Sequence, residues 1–328
     1  MSRGFTVVDL FSGGGGFGRG FEEAGFKVLA AVDNYPPAAK TYKYNFPHAS
    51  VIADDIKEIG LEEILEAAGL RPGEVDVVVA SPPCEPFTGA NPRRMERPLD
   101  RLYRDPAGQL FLHAIRVIGS IKPRYFVVEN VPGIMHPEIE RSLRAEVARA
   151  GYPRVYFNVL KAEDHGTPSR RTRVFISNVR LNPRRVRGPT VAEALKGLPE
   201  PGASWPPNHE DPPEVPRRHR RRLARLRSGR GLIEFTGAGG RRIPNYVRLD
   251  PHRHAPTVMG TSRFVHPFQD RLLTVREQAR LMGFPDYHVF LGSRDAQYNM
   301  VGEAVPPPLA SAIAEYLASL LEDGGATL

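Results

Sequence analysis

The 328-residue sequence predicts an α/β protein: a doubly wound, mostly parallel sheet with a second, smaller and irregular unit. Three observations carry this. Short Val-rich runs alternate with helix-forming stretches over the first 180 residues. A Gly-rich turn follows the first run. From about Asn182 the texture changes to Pro, Arg and Gly, without a clean period or an internal repeat. Strands that alternate with helices imply crossover connections and a parallel sheet covered on both faces.

In chain order, strands are expected at 5–11 (FTVVDLF), 27–33 (KVLAAVD), 50–55 (SVIADD), 75–81 (VDVVVAS) and 124–130 (RYFVVEN), with later ones at 154–160 and 173–179. Helices are expected between them at 17–26, 35–46, 61–70 and 108–121. After the irregular segment, Thr274 and Glu277 have the spacing of a capping box, which predicts a helix ending near Gly283. Prolines then open an apolar-periodic C-terminal helix, PPPLASAIAEYLASLLEDG.

Composition narrows the class. Hydrophobic residues make 41% and charged residues 25%, the usual balance of a globular protein. No apolar run is expected to reach the roughly 20 residues of a membrane span, and MSRGFTVVDLF lacks the layout of a secretory signal. The single cysteine, Cys84, excludes an internal disulfide and a multi-cysteine metal site, and fits a reducing compartment. Net charge is +8, but residues 182–270 hold 17 Lys and Arg against 8 Asp and Glu, so this one segment carries the entire surplus. It includes RRHRRRLARLRSGR, a block suited either to phosphate or to a solvated helix face.

In a parallel sheet, ligands sit beyond the carboxyl ends of the strands. After the first strand, Gly13, Gly15 and Gly18 match G-x-G-x-x-G, and Asp33 lies 20 residues beyond Gly13. That spacing suits a nucleoside ligand whose ribose hydroxyls Asp33 accepts, with a dinucleotide and a sulfonium nucleoside both open. Asp54 and Asp55 end the third strand, either to accept from an adenine amine or to cap a helix. Cys84 follows two prolines that stiffen its turn. A free cysteine is more often a small buried hydrophobe than a nucleophile, but the ligand edge is where a reactive thiol belongs. Glu129 ends the fifth strand in ENV, beside the same crevice.

In order, DLFSGGGGFG, VDN, DDI, SPPCEPF, ENV, PSRRTRVF, RLLTVREQARLMGFP and GEAVPPPLA make nearly the whole chain resemble the prokaryotic C5-cytosine-specific DNA methyltransferases. The resemblance implies a Rossmann-like methyltransferase sheet formed by residues 1–181 plus 294–328. It also implies a target-recognition domain and hinge at 182–293. The implied cofactor, S-adenosyl-L-methionine, would lie among Asp9, Phe11, Ser12, Gly13, Gly14, Gly15, Gly16, Asp33, Asn34, Asp55, Ile56, Pro83, Glu303 and Val305. Cytosine C5 is a poor nucleophile until a thiolate adds at C6. By resemblance Cys84 is that thiolate, Glu129 holds N3 and the exocyclic amine, Arg173 donates to O2, and Arg171 organises the site. Glu85, Thr88, Arg217, Arg218, Arg220 and Arg221 are implied at double-stranded DNA, and the loop at 88–108 is expected to close over a flipped base. A monomer in a prokaryotic cytoplasm, at the nucleoid and beside a cognate restriction endonuclease, completes the expectation.

Three positions depart from the family pattern. Glu85 and Ser169 stand where glutamine is usual, and Glu303 where asparagine is usual. Three rival readings stay open. An NAD-dependent dehydrogenase explains the glycines and Asp33, but not Cys84, ENV or the paired arginines. An RNA cytosine methyltransferase of the same fold shares SPPCEPFT, although the second cysteine of that branch is missing. A non-catalytic DNA-binding module would have no need of Cys84, Glu129 and Arg173.

Overall fold

The computed structural model describes residues 4–237, 240, 242–261 and 264–324. The ends of the expected 1–181 and 294–328 segments, and parts of the Gly/Arg-rich stretch around 238–241, lie outside the described residues. The chain runs β1 (Thr6–Leu10), α1 (Gly16–Glu23), β2 (Lys27–Val32), α2 (Pro36–Asn45), β3 (Ser50–Ile52), α3 (Leu61–Ala68) and β4 (Val77–Ala80). It continues with α4 (Pro98–Tyr103), α5 (Pro106–Ile121), β5 (Tyr125–Asn130), α6 (Pro137–Arg149), β6 (Tyr156–Lys161) and β7 (Thr172–Ser177). Then follow α7 (Val191–Leu195), α8 (Arg217–Leu223), β8 (Gly231–Thr236), β9 (Arg242–Arg248), β10 (Phe264–Val265), α9 (Val275–Leu281), α10 (Arg294–Glu303) and α11 (Pro307–Gly324).

All seven expected strands form, and they join one sheet in the order β3-β2-β1-β4-β5-β7-β6. The first five are parallel, and β7 runs antiparallel to both of its neighbours. β1 and β4 are buried at every position because helices cover both faces, which is why they read as unbroken apolar runs. On one face Val8, Leu10, Val78 and Val128 pack with Phe111 and Ile115 of α5. On the other, Val7, Val77 and Val79 pack with Phe17 and Phe21 of α1 and with Leu309, Ile313 and Leu317 of α11. The helices α1 and α11 approach closely, since a Cβ on Gly20 would stand 2.4 Å from Ala310 Cβ.

An 18-residue window within Arg294–Gly324 reaches a mean hydropathy of 1.2, the level of a membrane span, against the expectation that no run comes near one. Its apolar side is already occupied: Leu309, Ile313, Leu317 and Leu321 are buried in the protein core.

The expected irregular segment contains a three-stranded sheet, β10-β9-β8, and the short helices α7 and α8. Its strands escape a reading by pattern because β8 and β9 alternate burial only loosely. The helix α6 buries only Ile139, Leu143 and Val147 in an otherwise charged sequence, so its apolar stripe is thin. The capping box is present: Thr274 Oγ1 accepts from Glu277 N, and the Glu277 carboxylate accepts from Thr274 N. The helices α9 and α10 pack with Val191, Leu249, Val258 and Phe264, and with Ala38 of α2, so this core touches both sheets' surroundings.

Candidate active site

A cavity of about 970 Å³ opens at the carboxyl edge of the large sheet. Its wall is built from the segments just after β1, β2, β3, β4 and β5. Because β7 is antiparallel, its beginning reaches the same edge and brings Arg171 and Arg173 there. The opposite wall comes from Ile243, Pro244, Pro256, Val258, Met259 and Phe264 around the smaller sheet.

At one end lies the Gly-rich turn. Phe11 has φ +55°, a left-handed conformation that is strained for a bulky residue and uncommon outside ligand sites. Gly15 (φ +84°) caps α1, and a Cβ there would stand 2.6 Å from the Phe46 ring. Asp33 Oδ2 accepts from Gly13 N at 2.7 Å and Oδ1 from Tyr35 N at 2.9 Å, which aims the carboxylate at the turn. Burial raises its pKa against those two bonds. Among the described residues Ser12 Oγ is buried without a hydrogen-bond partner.

At the other end, Phe87 N and Thr88 N donate to Cys84 O, so the thiol sits in a closed turn. Glu129 and Arg173 face each other, with Glu129 Oε1 2.8 Å from Arg173 Nε. The contact has no aligned N–H, and Glu129 Oε1 is left buried without a hydrogen bond. A buried, unsatisfied carboxylate oxygen is costly, and a ligand donor would satisfy it. Arg171 is wholly enclosed. Its Nη1 donates to Val258 O at 3.1 Å and Gly302 O at 2.9 Å, and its Nη2 to Glu303 O at 3.3 Å. Burial, then the neighbouring Arg173, lower its pKa to about 9. Burial, then Glu129 and Glu85, raise the Cys84 thiol to about 11, while Arg173 and Arg171 oppose this.

Residues 5–201 and 202–319 match the family of C-5 cytosine-specific DNA methylases. The chain belongs to that family. It is a DNA (cytosine-5-)-methyltransferase. M.MJ0563P of Methanocaldococcus jannaschii is 45% identical over 94% of this chain and 98% of its own length. The type II methyltransferase M1.HphI of Haemophilus parahaemolyticus is 35% identical over 94% of this chain and 86% of its own. A crystal structure of a prophage-encoded E. coli protein, described as a DNA modification methyltransferase, superposes with a TM-score of 0.76 at 27% identity, covering 97% of this chain and 99% of that one. The S. pombe Dnmt2 methyltransferase shares the fold, with a TM-score of 0.64 at 17% identity over 98% and 99% of the respective chains where 98% or more is aligned in both.

The methyltransferase brings most of the expected residues to one cavity: Phe11, Ser12, Gly13, Gly14, Gly16, Asp33, Asn34, Ile56, Pro83, Cys84, Glu85, Thr88, Glu129, Arg171, Arg173, Glu303 and Val305 all line it. Three expected cofactor residues stand elsewhere. Asp9 is fully buried beneath α1, where its Oδ2 accepts from Gly18 N and Tyr42 Oη. Gly15 serves the turn from behind. Asp54 rather than Asp55 is on the cavity wall, because Asp55 closes its own turn by accepting from Lys57 N at 3.0 Å and pairing with Lys57 Nζ at 3.2 Å. Ser169 is fully buried and donates to Met282 Sδ.

Two positioning residues escaped the sequence reading. Asn130 Nδ2 donates to Pro82 O at 3.1 Å and pins the thiol's turn to β5. His288 accepts from Arg19 Nε at Nδ1, so its Nε2–H donates to Gly14 O at 2.8 Å and holds the Gly-rich turn. Asn130 lies inside ENV and was there to be found, whereas nothing in the local pattern marks His288. The expected closing loop is also shorter than 88–108. Residues 98–103 form α4, whose buried Arg101 donates to Met95 O and Glu96 O, and Asp105 caps α5.

Of the four expected DNA-contacting arginines, Arg217, Arg218, Arg220 and Arg221 are all exposed on α8, but Arg220 pairs with Glu214 at 2.7 Å. Arg221, Arg222, Arg225, Arg227 and Arg230 line a shallow groove of about 420 Å³.

Proposed function

We propose that the enzyme methylates C5 of a cytosine flipped out of a specific double-stranded DNA sequence, through a transient Cys84–C6 bond, with S-adenosyl-L-methionine as methyl donor. The observation that carries this is the convergence of Cys84, Arg173 and the unsatisfied Glu129 oxygen on one wall, facing the Gly-rich turn across a single cavity. The walls fit such a donor: Phe11 and Ile56 are apolar surfaces for adenine, Asp33 suits ribose hydroxyls, and Ser12 Oγ lacks a partner. Bound there, the donor supplies the methyl group that C5 takes up.

The chain's own part begins with Cys84. At a pKa of about 11 little thiolate exists near neutrality. A protonated Glu129, donating to cytosine N3, no longer repels the thiolate, so base binding favours the nucleophile. The thiol gives its proton to solvent, sulfur adds to C6 as Glu129 passes its proton to N3, and Arg173 donates to O2. After methylation a solvent base takes the C5 proton, the C–H pair re-forms the C5–C6 double bond, the C6–S pair returns to sulfur, and N3 gives its proton back to Glu129.

The segment 182–293 serves in this reading as target-recognition domain and hinge. Residues 88–97 close over the base, so DNA slows proteolytic cleavage there, and equal cleavage with and without DNA overturns the closure. In this reading the enzyme acts as a monomer on prokaryotic DNA in the cytoplasm. Kinship with type II methyltransferases supports a paired restriction endonuclease.

The test is adduct formation with 5-fluorocytosine in duplex DNA and in RNA, with the methyl donor present. A stable protein–DNA adduct at Cys84 is expected. Adducts with RNA alone would transfer the reading to RNA, and no adduct with a duplex that the enzyme demonstrably methylates would refute the covalent step.

A further inference from the structure

Two of the three departures from the family pattern meet in space. Glu85 follows the thiol, Glu303 ends α10, and both line the cavity. Electrostatically Glu303 is coupled to Glu85 and, more weakly, to Asp33, while Glu85 is also coupled to Cys84. Acidic groups therefore run from the ribose end of the cavity, at Asp33, through Glu303 and Glu85 to the thiol. A donor whose ribose sits at Asp33 and whose methyl reaches a base on Cys84 must place its sulfur along that run.

Among the described residues neither Glu85 nor Glu303 forms an ion pair. Glu303 receives a hydrogen bond from Asn299, and the nearest cation acting on it, Arg171, has its Nη atoms committed to backbone carbonyls. At the cofactor end of the run Ser12 Oγ has no hydrogen-bond partner among the described residues, on a residue only 5% exposed, while at the thiol end Glu129 is already paired with Arg173. Two like charges facing one another without a cation are unfavourable, and a ligand cation between them removes the conflict.

We propose that Glu85 and Glu303 are the counter-charge for the donor's sulfonium, so that this enzyme separates its cationic donor from the neutral thioether product by charge. The inference rests on the donor proposed above. Methyl transfer removes the positive charge from sulfur, so the pair holds the donor and loosens the product. A pH dependence accompanies this. Glu303, like Glu85, is exposed to solvent at the cavity mouth, and the part of its carboxyl that the cavity walls desolvate, then Glu85, raises its pKa toward about 7. A sulfonium favours the ionised form, so donor affinity rises with pH through that value as binding displaces a proton. A neutral thioether has no such linkage at sulfur.

Calorimetric titration of the full chain with S-adenosyl-L-methionine, S-adenosylhomocysteine and sinefungin, whose amine puts a cation in the sulfonium's place, tests the proposal at pH 6 and pH 8. Their shared amino-acid end makes the ratio of affinities the useful quantity. The preference for either cation over the thioether is expected to be about tenfold larger at pH 8 than at pH 6. Glu303→Gln should remove that pH dependence and reduce the preference at pH 8 about tenfold, and Glu85→Gln should reduce it by a smaller factor. If all three ligands bind and the preference is the same at both pH values in the unmodified protein, the charge pair is overturned while the donor reading stands. Should none of the three bind, both readings fall together. The unmodified protein and Glu85→Gln decide the matter even if Glu303→Gln does not fold.

Discussion

The sheet edge and the arginine segment are both polar, but they are held in opposite ways. At the edge, Glu129 is 7% exposed at its side chain and Arg173 12%, and Arg171 is tied to three carbonyls. In the arginine segment, Arg220 and its partner Glu214 are 52% and 85% exposed, and Arg217, Arg218 and Arg221 project into solvent. Chemistry on a bond needs fixed atoms, which only burial and backbone anchoring supply. A polyanion needs charge within reach, which exposed guanidinium groups supply without a fixed pose. Substitutions at the edge should therefore act on rate, and those in the arginine segment on affinity and its salt dependence.

The largest contrast is expected at Cys84. Cys84→Ser should lower methyl transfer roughly ten-thousand-fold or more, with donor binding retained by calorimetry. A residual rate within tenfold of the unmodified enzyme would remove covalent catalysis from the edge. Glu129→Gln keeps the shape and a donor for N3's neighbourhood but loses the transferable proton. Its single-turnover rate should fall by about a hundred- to a thousandfold, while DNA affinity by fluorescence anisotropy changes little.

These residues were legible because each stands directly after a strand in a sheet whose topology dictates where ligands bind. Cys84 after β4, Asp33 after β2 and Glu129 in β5 follow from alternation alone, and the ordered motifs supplied their roles. Asp54 and Asp55 show the limit of that reading. Adjacent side chains at a strand end diverge, and only the hydrogen bond from Lys57 N decides which one turns inward. His288 was invisible because its partner, Gly14, is 274 residues away, and long-range pairing leaves no local pattern. In the arginine segment the charge was legible but the groove was not. All five of its arginines lie in the basic block, but four fall outside the set expected at DNA, because the turn after α8 decides which guanidinium groups converge.

Asp9 tests whether an acid near the site belongs to the chemistry or to the fold. Burial raises its carboxyl to about 7, so the folded protein holds a proton there that the unfolded chain releases near 3.8. That contribution is full below about 3.8 and is lost as pH rises through about 7. Stability at this one site should then decline by on the order of 4 kcal/mol between those limits. Asp9→Asn should flatten the decline in urea melts at pH 5 and pH 8 while leaving donor binding intact. An unchanged slope would show that the proton is not held there.

A milder effect is expected in the groove. Arg225→Gln and Arg230→Gln should each weaken DNA binding by about tenfold or less, and each lower the slope of log affinity against log salt by roughly 0.9. Single-turnover rates at saturating DNA should stay unchanged, which is the counterpart of Glu129→Gln. A rate defect that excess DNA cannot repair would place these arginines with the edge instead.

The smallest expected difference lies between two copies of one motif in the region that follows β7. Thr190–Glu193 and Thr274–Glu277 both form complete capping boxes. Thr274 is 1% exposed and its hydroxyl also meets His209 Nδ1 at 2.8 Å, while both Thr190 bonds are exposed to solvent. Water replaces the lost partner at Thr190, so Thr190→Ala should cost about 0.5–1 kcal/mol. At Thr274 no water has access and His209 is stranded as well, so Thr274→Ala should cost about 2 kcal/mol. Equal losses in denaturant melts would mean that burial does not set the worth of a cap here, and would weaken the same reasoning where it separates the sheet edge from the arginine segment.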